Sequence, residues 1–224
     1  MDTIFALASG ALPAAIAIVR ISGPQAIVAV EKLAGNLPAA RRAGVRALID
    51  PASGALLDRA IVLAFPGVNS ATGEDLVELH LHGGRAVVAS VLAALARIDG
   101  LRGAEAGEFT RRALANGRID LTEAEGLGDL LMAQTERQRR AAMLSAEGRL
   151  SRLVVGWASE LLAVSAQIEA ALDFSDEDDV GDSVDPSVRT RIDALALAIG
   201  IVLAEPPIER LRDGVRVVLA GPRN

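Results

Sequence analysis

The segment DLVELHLH, at residues 75–82, contains the two histidines of the chain, spaced alternately with a glutamate. A β-strand has a side-chain period of two, so Glu78, His80 and His82 would share one face and the intervening apolar residues the other. Three interpretations are open. The face could be the solvated side of a half-buried sheet, a zinc site of two imidazoles and one carboxylate, or a pocket wall that hydrogen-bonds a polar ligand.

Arginines stand out at two further places. Arg20 ends an apolar stripe in the segment IAIVRIS, so its guanidinium either needs a carboxylate or a ligand, or reaches into water. The segment GEFTRRALANGRIDL, at residues 107–121, carries Arg111, Arg112 and Arg118. These three arginines could form an anion-binding surface, or they could cover the end of a helix that stops at ANG, where positive charge is favourable.

Composition limits the classes of function. The 224 residues include 23 Lys and Arg against 29 Asp and Glu, and seven of these acids lie in the stretch 173–185. The absence of cysteine excludes disulfides, Cys-ligated metals and a cysteine nucleophile. An acidic chain with four Phe, one Trp and no Tyr does not favour a nucleic-acid surface of stacked rings. No segment predicts a membrane element, which makes the cytoplasm the expected location.

The elements that must position these residues fall into two groups. The first group mixes strands and helices and predicts an α+β domain up to about residue 115. Strands are predicted over 15–22, 45–50, 57–65 and 75–82, and helices over 25–35 and 85–98. The strands over 45–50 and 57–65 are separated by PASG, which predicts a hairpin. The sequence HGG at 82–84 precedes a helix and is a weak candidate anion cradle.

The second group, from Thr122 onward, predicts long amphipathic helices of a bundle. Thr122 with Glu125 fits a capping box at the first of them. The acidic stretch 173–185 predicts a solvated break, and another helix follows from about Pro186. The end of the sequence, VRVVLAGPRN, predicts a strand over 215–221 and the first residues of a phosphate-binding loop.

Several long segments together resemble the MnmE (TrmE) family of tRNA-modification GTPases. They are DTIFALAS, IAIVRISG, FPGVNSATGEDLVELHLHGG, GEFTRRALANGRIDLTEAEGLGDLL, EAALDFSDED and VVLAGPRN, in the order and spacing of that family. The resemblance implies an α+β N-terminal domain, a mixed sheet with helices similar to tetrahydrofolate-binding aminomethyltransferase domains, followed by an all-α helical-bundle segment. It implies three parts: a tetrahydrofolate-binding and dimerisation domain at 1–117, the first part of the central helical domain at 118–213, and the start of a G domain at 214–224.

The same resemblance implies site residues one by one. The folate-contacting positions of the family fall on Arg20, Glu78 and Arg118, the last replacing the usual lysine. The position that helps to hold nucleotide and potassium falls on Asn224. The cofactor implied is 5-formyl- or 5,10-methylene-tetrahydrofolate. From charge, Glu78 would accept from the pterin edge, and Arg20 or Arg118 would pair with the carboxylates of the tail. These residues would orient the cofactor, and no catalytic residue is expected.

For the full-length protein, the resemblance implies a GTPase that works with the flavoprotein MnmG (GidA) on the wobble uridine of tRNAs. The folate would supply the one-carbon unit of an aminomethyl-type group on C5, and GTP, potassium and magnesium would serve the G domain. This portion would bind folate and form a homodimer away from any membrane, and alone it is not expected to hydrolyse GTP. Two alternatives remain: a non-catalytic dimerisation scaffold, and a stand-alone folate-dependent enzyme of the aminomethyltransferase type.

Overall fold

A computed structural model describes residues 2–173, 186–205, 218, 220 and 221 of the chain. The chain divides into two compact units, Met1–Ile119 and Asp120–Asn224. The acidic stretch beyond residue 173, most of the predicted strand over 215–221, and Asn224 lie outside the described residues.

The first unit contains six strands and three helices. The strands are β1 (Thr3–Leu7), β2 (Ile16–Ser22), β3 (Gly44–Ile49), β4 (Leu56–Phe65), β5 (Leu76–His82) and β6 (Leu101–Gly103); the helices are α1 (Ala26–Ala34), α2 (Arg85–Ala96) and α3 (Glu108–Ala115). The four predicted strands and two predicted helices are all present, with ends that differ by at most two residues. The sequence analysis missed β1 and β6, whereas the helix that stops at ANG, one of its two interpretations of the segment 107–121, is present as α3.

One mixed sheet organises this unit. Its strand order is β3-β4-β5-β2-β1-β6, and neighbours are antiparallel except for the parallel pair of β1 and β6. The predicted α+β class with a mixed sheet is therefore confirmed. The hairpin of β3 and β4 is also confirmed, with Gly44 opposite Val62.

The core lies on the sheet face that carries α1 and α2. Buried side chains of the sheet alternate with polar ones, as the period of two predicts. The fully buried ones on this face include Val19, Ile21, Val62, Val77, Leu79 and Leu81, packed with Val30, Leu33, Val91 and Leu95 of the helices. The opposite face, here called the outer face, therefore receives Arg20, Glu78 and His80.

The glycines of HGG have a packing role at the end of β5. A Cβ added to Gly83 would lie 2.2 Å from the carbonyl oxygen of Ala14, so the two backbones approach too closely for any side chain. The amide of Ala14 donates to the carbonyl of Gly83 at 3.0 Å. Gly84 then precedes the first turn of α2. These contacts account for the glycine at 83 without an anion.

The second unit is helical in its described part. It contains α4 (Leu121–Met132), α5 (Glu136–Ala146), α6 (Arg149–Asp173) and α7 (Pro186–Leu203). The predicted all-α segment is confirmed over these residues, as is a helix that begins at Pro186.

The predicted capping box at the first of these helices is wrong in register. Asp120 is the N-cap of α4: its carboxylate accepts from the amide of Glu123, whose side chain accepts from the amide of Asp120. Thr122 lies inside the helix and donates its hydroxyl to Asp120 at 2.7 Å. Both registers have the residue types of a capping box, but Asp ranks above Thr as an N-cap.

Candidate functional site

An ion pair between two central strands forms the middle of the outer face. Arg20 of β2 lies directly opposite Glu78 of β5 in the antiparallel register. The Arg20 Nη2 and Nε atoms donate to Glu78 Oε1 at 2.7 and 3.1 Å. The two side chains are 30% and 16% exposed, so the pair is partly shielded from water. Arg20 therefore has a carboxylate partner, which was one of the two interpretations of its position.

The second oxygen of Glu78 faces a histidine. His80 Nε2 lies 3.4 Å from Glu78 Oε2, slightly beyond the roughly 2.7–3.2 Å that is usual for an N–H···O hydrogen bond. His80 is flanked across the sheet by Ile18 of β2 and Ile61 of β4. Both donors that Arg20 contributes go to Oε1, so Oε2 keeps acceptor capacity for another group.

His82 belongs to a different contact. Its Nδ1 lies 2.7 Å from Asp58 Oδ1, and its backbone amide donates to Asp58 Oδ2 at 2.8 Å. Burial acts to raise the pKa of the Asp58 carboxyl, but these hydrogen bonds outweigh it and lower that pKa below the ordinary value. The two histidines thus pair with different carboxylates, and no group of three metal-ligating side chains occurs within the described residues. The zinc interpretation has no support in this geometry.

Helix α3 covers Arg20 with an aromatic ring. The Cζ atom of Arg20 lies 5.8 Å from the ring centroid of Phe109, within the range of a cation–π contact. The sequence analysis did not single out Phe109. Its position in the polar segment EFTRR was the available signal, because an isolated aromatic among charges needs an apolar or cationic neighbour.

A cluster of five charged residues anchors α3 to the rest of the unit. This charge cluster consists of Asp2, Glu74, Arg102, Glu108 and Arg112. Arg112 donates to Asp2 Oδ1 at 2.7 Å, to Glu108 Oε1 at 3.1 Å and to Glu74 Oε2 at 3.1 Å. Arg102 donates to both oxygens of Glu108, at 2.5 and 2.9 Å. These bonds, those of Arg102 first, lower the pKa of the buried Glu108 carboxyl to about 2.

The predicted anion-binding surface of three arginines is therefore divided. Arg112 is fully engaged in the charge cluster, and Arg111 pairs with Glu105 at 2.8 Å. Arg118 differs from both, because it forms no ion pair with a described residue. Its Nε donates to the carbonyl of Ser70 at 3.0 Å, and neither Nη atom has a described protein partner. Of the three arginines, Arg118 is the one without a carboxylate partner among the described residues, and its Nη edge could pair with an anion.

The loop between β4 and β5, residues 66–75, supports Arg118. A Cβ added to Gly73 would lie 3.1 Å from Arg118 Cγ, and the φ of Gly73 is +79°, so glycine fits this position on both counts. Thr72 of this loop lies 2.7 Å, hydroxyl to hydroxyl, from Ser22 at the end of β2. Arg118 is thus connected by hydrogen bonds, through the loop, to the strand that carries Arg20.

The arrangement is suited to binding a ligand that has both donors and anionic groups. The structure brings Arg20 and Glu78 into direct contact and places Arg118, just after α3, against the loop between β4 and β5. Such a set of groups can hold and orient a ligand. The chain is therefore of a defined class: an α+β unit with a charged outer face, followed by a helical unit.

The particular family follows from comparison with known proteins. A family model described as "GTP-binding protein TrmE N-terminus" matches residues 3–118, and one described as "MnmE helical domain" matches residues 121–216. The chain belongs to the MnmE (TrmE) family of tRNA-modification GTPases, as the resemblance predicted.

Curated relatives agree with this assignment. Proteins named "tRNA modification GTPase MnmE" from Erythrobacter litoralis and Rhizorhabdus wittichii are each 60% identical over all of this chain, which covers 52% and 51% of them. The protein of that name from Rhodopseudomonas palustris is 53% identical, with 50% of its length covered. The chain thus spans about half the length of the curated relatives it matches.

One helix of the second unit has the length of a membrane span. Over the described residues, α6 is the one helix long and apolar enough, by length and composition, to cross a bilayer. The sequence analysis predicted no membrane element and assigned this stretch to the long amphipathic helices of the bundle. Helix α6 lies wholly within the stretch that matches the helical-domain model, which favours an amphipathic bundle helix.

Proposed function

We propose that this chain is the folate-binding and dimerising portion of a tRNA-modification GTPase. It binds 5-formyl- or 5,10-methylene-tetrahydrofolate through Arg20, Glu78 and Arg118. The observation that carries the proposal is the Arg20–Glu78 pair, in which both arginine donors go to a single carboxylate oxygen. The other oxygen is left with acceptor capacity on a partly shielded face.

The chemistry of the ligand matches these groups. The pterin edge presents an amino group and a ring N–H side by side, and a carboxylate is the natural acceptor for such a pair. The tail of the cofactor carries carboxylates, and the free guanidinium edge of Arg118 offers two donors in a fixed fork. In this site the residues hold the one-carbon unit in place, so their contribution is orientation of the cofactor.

The outer face also supports a homodimer. Val45 of β3 lies opposite Ile61 of β4, and the two are 63% and 41% exposed; Ile16 of β2 is 59% exposed on the same face. Exposed apolar side chains on adjacent strands are typical of a protein–protein interface. A two-fold arrangement would bring the same patch of two copies together beside the folate site.

In the full-length protein, the bound folate supplies the one-carbon unit for C5 of the wobble uridine of tRNA, in partnership with MnmG (GidA). GTP, potassium and magnesium serve the G domain of the family, and Asn224 helps to hold the nucleotide and potassium. The protein acts in the cytoplasm. The helical-domain match over 121–216 disfavours a stand-alone aminomethyltransferase, because such an enzyme has no use for this second unit.

Calorimetric titration of 5-formyl-tetrahydrofolate into this chain tests the folate site. Glu78→Gln should lower the affinity by at least tenfold, because a hydrogen bond to a charged group contributes about 1.5–3 kcal/mol. Glu105→Gln is the matched control: Glu105 is 70% exposed and pairs with Arg111, so its loss should leave the affinity unchanged. Sedimentation of the same samples reports the oligomeric state. A folded, dimeric wild-type chain that binds no folate would favour the scaffold function instead.

A further inference from the structure

The Glu78 carboxylate is held unevenly by Arg20. In the usual fork-like pair, an arginine donates to both oxygens of a carboxylate and fixes its plane. Here the Nε and Nη2 donors of Arg20 converge on Oε1, at 3.1 and 2.7 Å. A carboxylate that is bound at one oxygen can still pivot about that oxygen. A second contact, at Oε2, is needed to fix the direction of its free lone pairs.

His80 is the described residue that supplies this second contact. Its Nε2 lies 3.4 Å from Glu78 Oε2, and its side chain is 24% exposed between Ile18 and Ile61 of the neighbouring strands. Neither isoleucine side chain offers a hydrogen-bonding group, so the polar interaction of the ring within this row is directed to Glu78. A carboxylate oxygen can accept more than one hydrogen bond, so Oε2 can also accept from a ligand donor.

We propose that His80 is a positioning residue for ligand binding. It donates from Nε2 to Glu78 Oε2 and thereby sets the plane in which the carboxylate meets the donor pair of the ligand. This inference rests on the proposed folate function, since it assigns to that site a fourth residue that acts through Glu78. His80 is distinguished in this way from His82, which pairs with Asp58.

Two replacements of His80 separate positioning from packing. His80→Leu keeps similar bulk but removes the donor, and should lower the affinity for 5-formyl-tetrahydrofolate about tenfold. His80→Gln places an amide N–H near the position of Nε2, and should restore the affinity to within about threefold of wild type. Circular dichroism of both variants reports whether they fold. Equal losses in the two variants would mean that the shape of the ring, and not its donor, is what matters, and would overturn the proposal.

A double-mutant cycle tests whether His80 acts through Glu78. In the Glu78→Gln background, His80→Leu should change the remaining affinity less than about twofold, because its target carboxylate is already gone. Independent, multiplying effects would place His80 on the ligand itself and overturn the positioning role. If Glu78→Gln weakens binding and His80→Leu binds as wild type, the inference fails while the folate function stands. A wild-type chain that binds no folate overturns both.

The His80–Glu78 contact can also be measured without ligand. The chain has two histidines, so long-range ¹H–¹⁵N spectra of the imidazoles are simple to assign by comparison with His80→Leu. Glu78→Gln should shift the Nε2 resonance of His80 and leave the ring of His82 unchanged. An unchanged His80 resonance would show that the two side chains do not interact, and would overturn the proposal independently of folate binding.

Discussion

Replacing Glu108 with glutamine removes one charge from the charge cluster while it keeps the shape of the side chain. The Glu108 carboxylate is buried, and it accepts from Arg102, from Arg112 and from the backbone amide of Glu105 at 2.8 Å. The glutamine amide has one acceptor oxygen and an NH2 group. Whichever way the amide is turned, its NH2 group takes the place of one carboxylate oxygen and faces the donors that this oxygen had satisfied.

The expected cost is about 3 kcal/mol. A carboxyl group whose pKa falls from 4.5 to about 2 on folding stabilises the folded state by about this amount when it is ionised. Removing one member of a buried charged pair costs about 3–5 kcal/mol, and Arg102 remains paired with Asp2, which places the value at the low end. For a unit of 119 residues, this corresponds to a fall in Tm of roughly 10 °C.

The pH dependence has a defined sign. The folded-state pKa of Glu108 lies below its ordinary value, so the stabilisation is complete above about pH 5. As the pH falls from 4.5 towards 2, the wild-type carboxylate takes up a proton and the stabilisation is lost. The gap in Tm between wild type and Glu108→Gln should therefore narrow over this range.

Thermal unfolding followed by far-ultraviolet circular dichroism measures the effect. The single tryptophan, Trp157, lies in α6, so its fluorescence does not report on the first unit. Hydrogen exchange of peptides from β1 and α3 therefore locates the destabilised region. Glu105→Gln is the control, three residues away in an exposed pair, and should shift the unfolding free energy by less than about 0.5 kcal/mol. Equal shifts for the two variants at pH 7, or a gap that stays constant down to pH 2.5, would refute the assigned role of Glu108.

Two predictions concern α4. Gly126→Ala should destabilise the helical unit by about 1–3 kcal/mol, because the added Cβ would lie 2.4 Å from the amide nitrogen of Ala146. A Cβ added to Gly128 would meet nothing within 4 Å, so Gly128→Ala should stabilise the unit by about 0.5–1 kcal/mol. Urea unfolding that gives both changes the same sign would contradict this. Asp120→Ala should lower the free energy of unfolding by about 1 kcal/mol through loss of the N-cap, and Glu125→Ala should lower it much less. The reverse order in the same assay would favour the capping box of Thr122 and Glu125 that was predicted from the sequence.

The sequence predicted the parts of the fold that depend on local pattern. The alternation in β5 correctly separated Glu78 and His80 from the core residues, because a buried face fixes strand register. Strand β6 was missed because it has three residues, too few to show a period. The capping register at α4 was missed because two overlapping tetrads, starting at Asp120 and at Thr122, both satisfy the local rule.

The partners of the charged residues could not be predicted in the same way. Arg20 and Glu78 are 58 positions apart, and Arg112 and Asp2 are 110 apart, so only the sheet order brings them together. The resemblance selected Arg20, Glu78 and Arg118 as ligand contacts. The resemblance did not predict which arginines of the segment 107–121 form ion pairs with carboxylates, because those pairs depend on the position of β1 beside β2.

Helix α3 connects the charge cluster to the proposed folate site. Glu108 and Arg112 are four residues apart and pair on one side of the helix, while Phe109 is turned by about 100° and contacts Arg20. Arg118 follows shortly after the end of the helix, and its backbone amide donates to the carbonyl of Ala113. The charge cluster therefore holds α3 in place. The other side of this helix contacts Arg20, and its C-terminal end positions Arg118. Glu108→Gln should accordingly weaken folate binding even at temperatures where the chain stays folded, and an unchanged affinity there would mean that α3 is held by its apolar contacts alone.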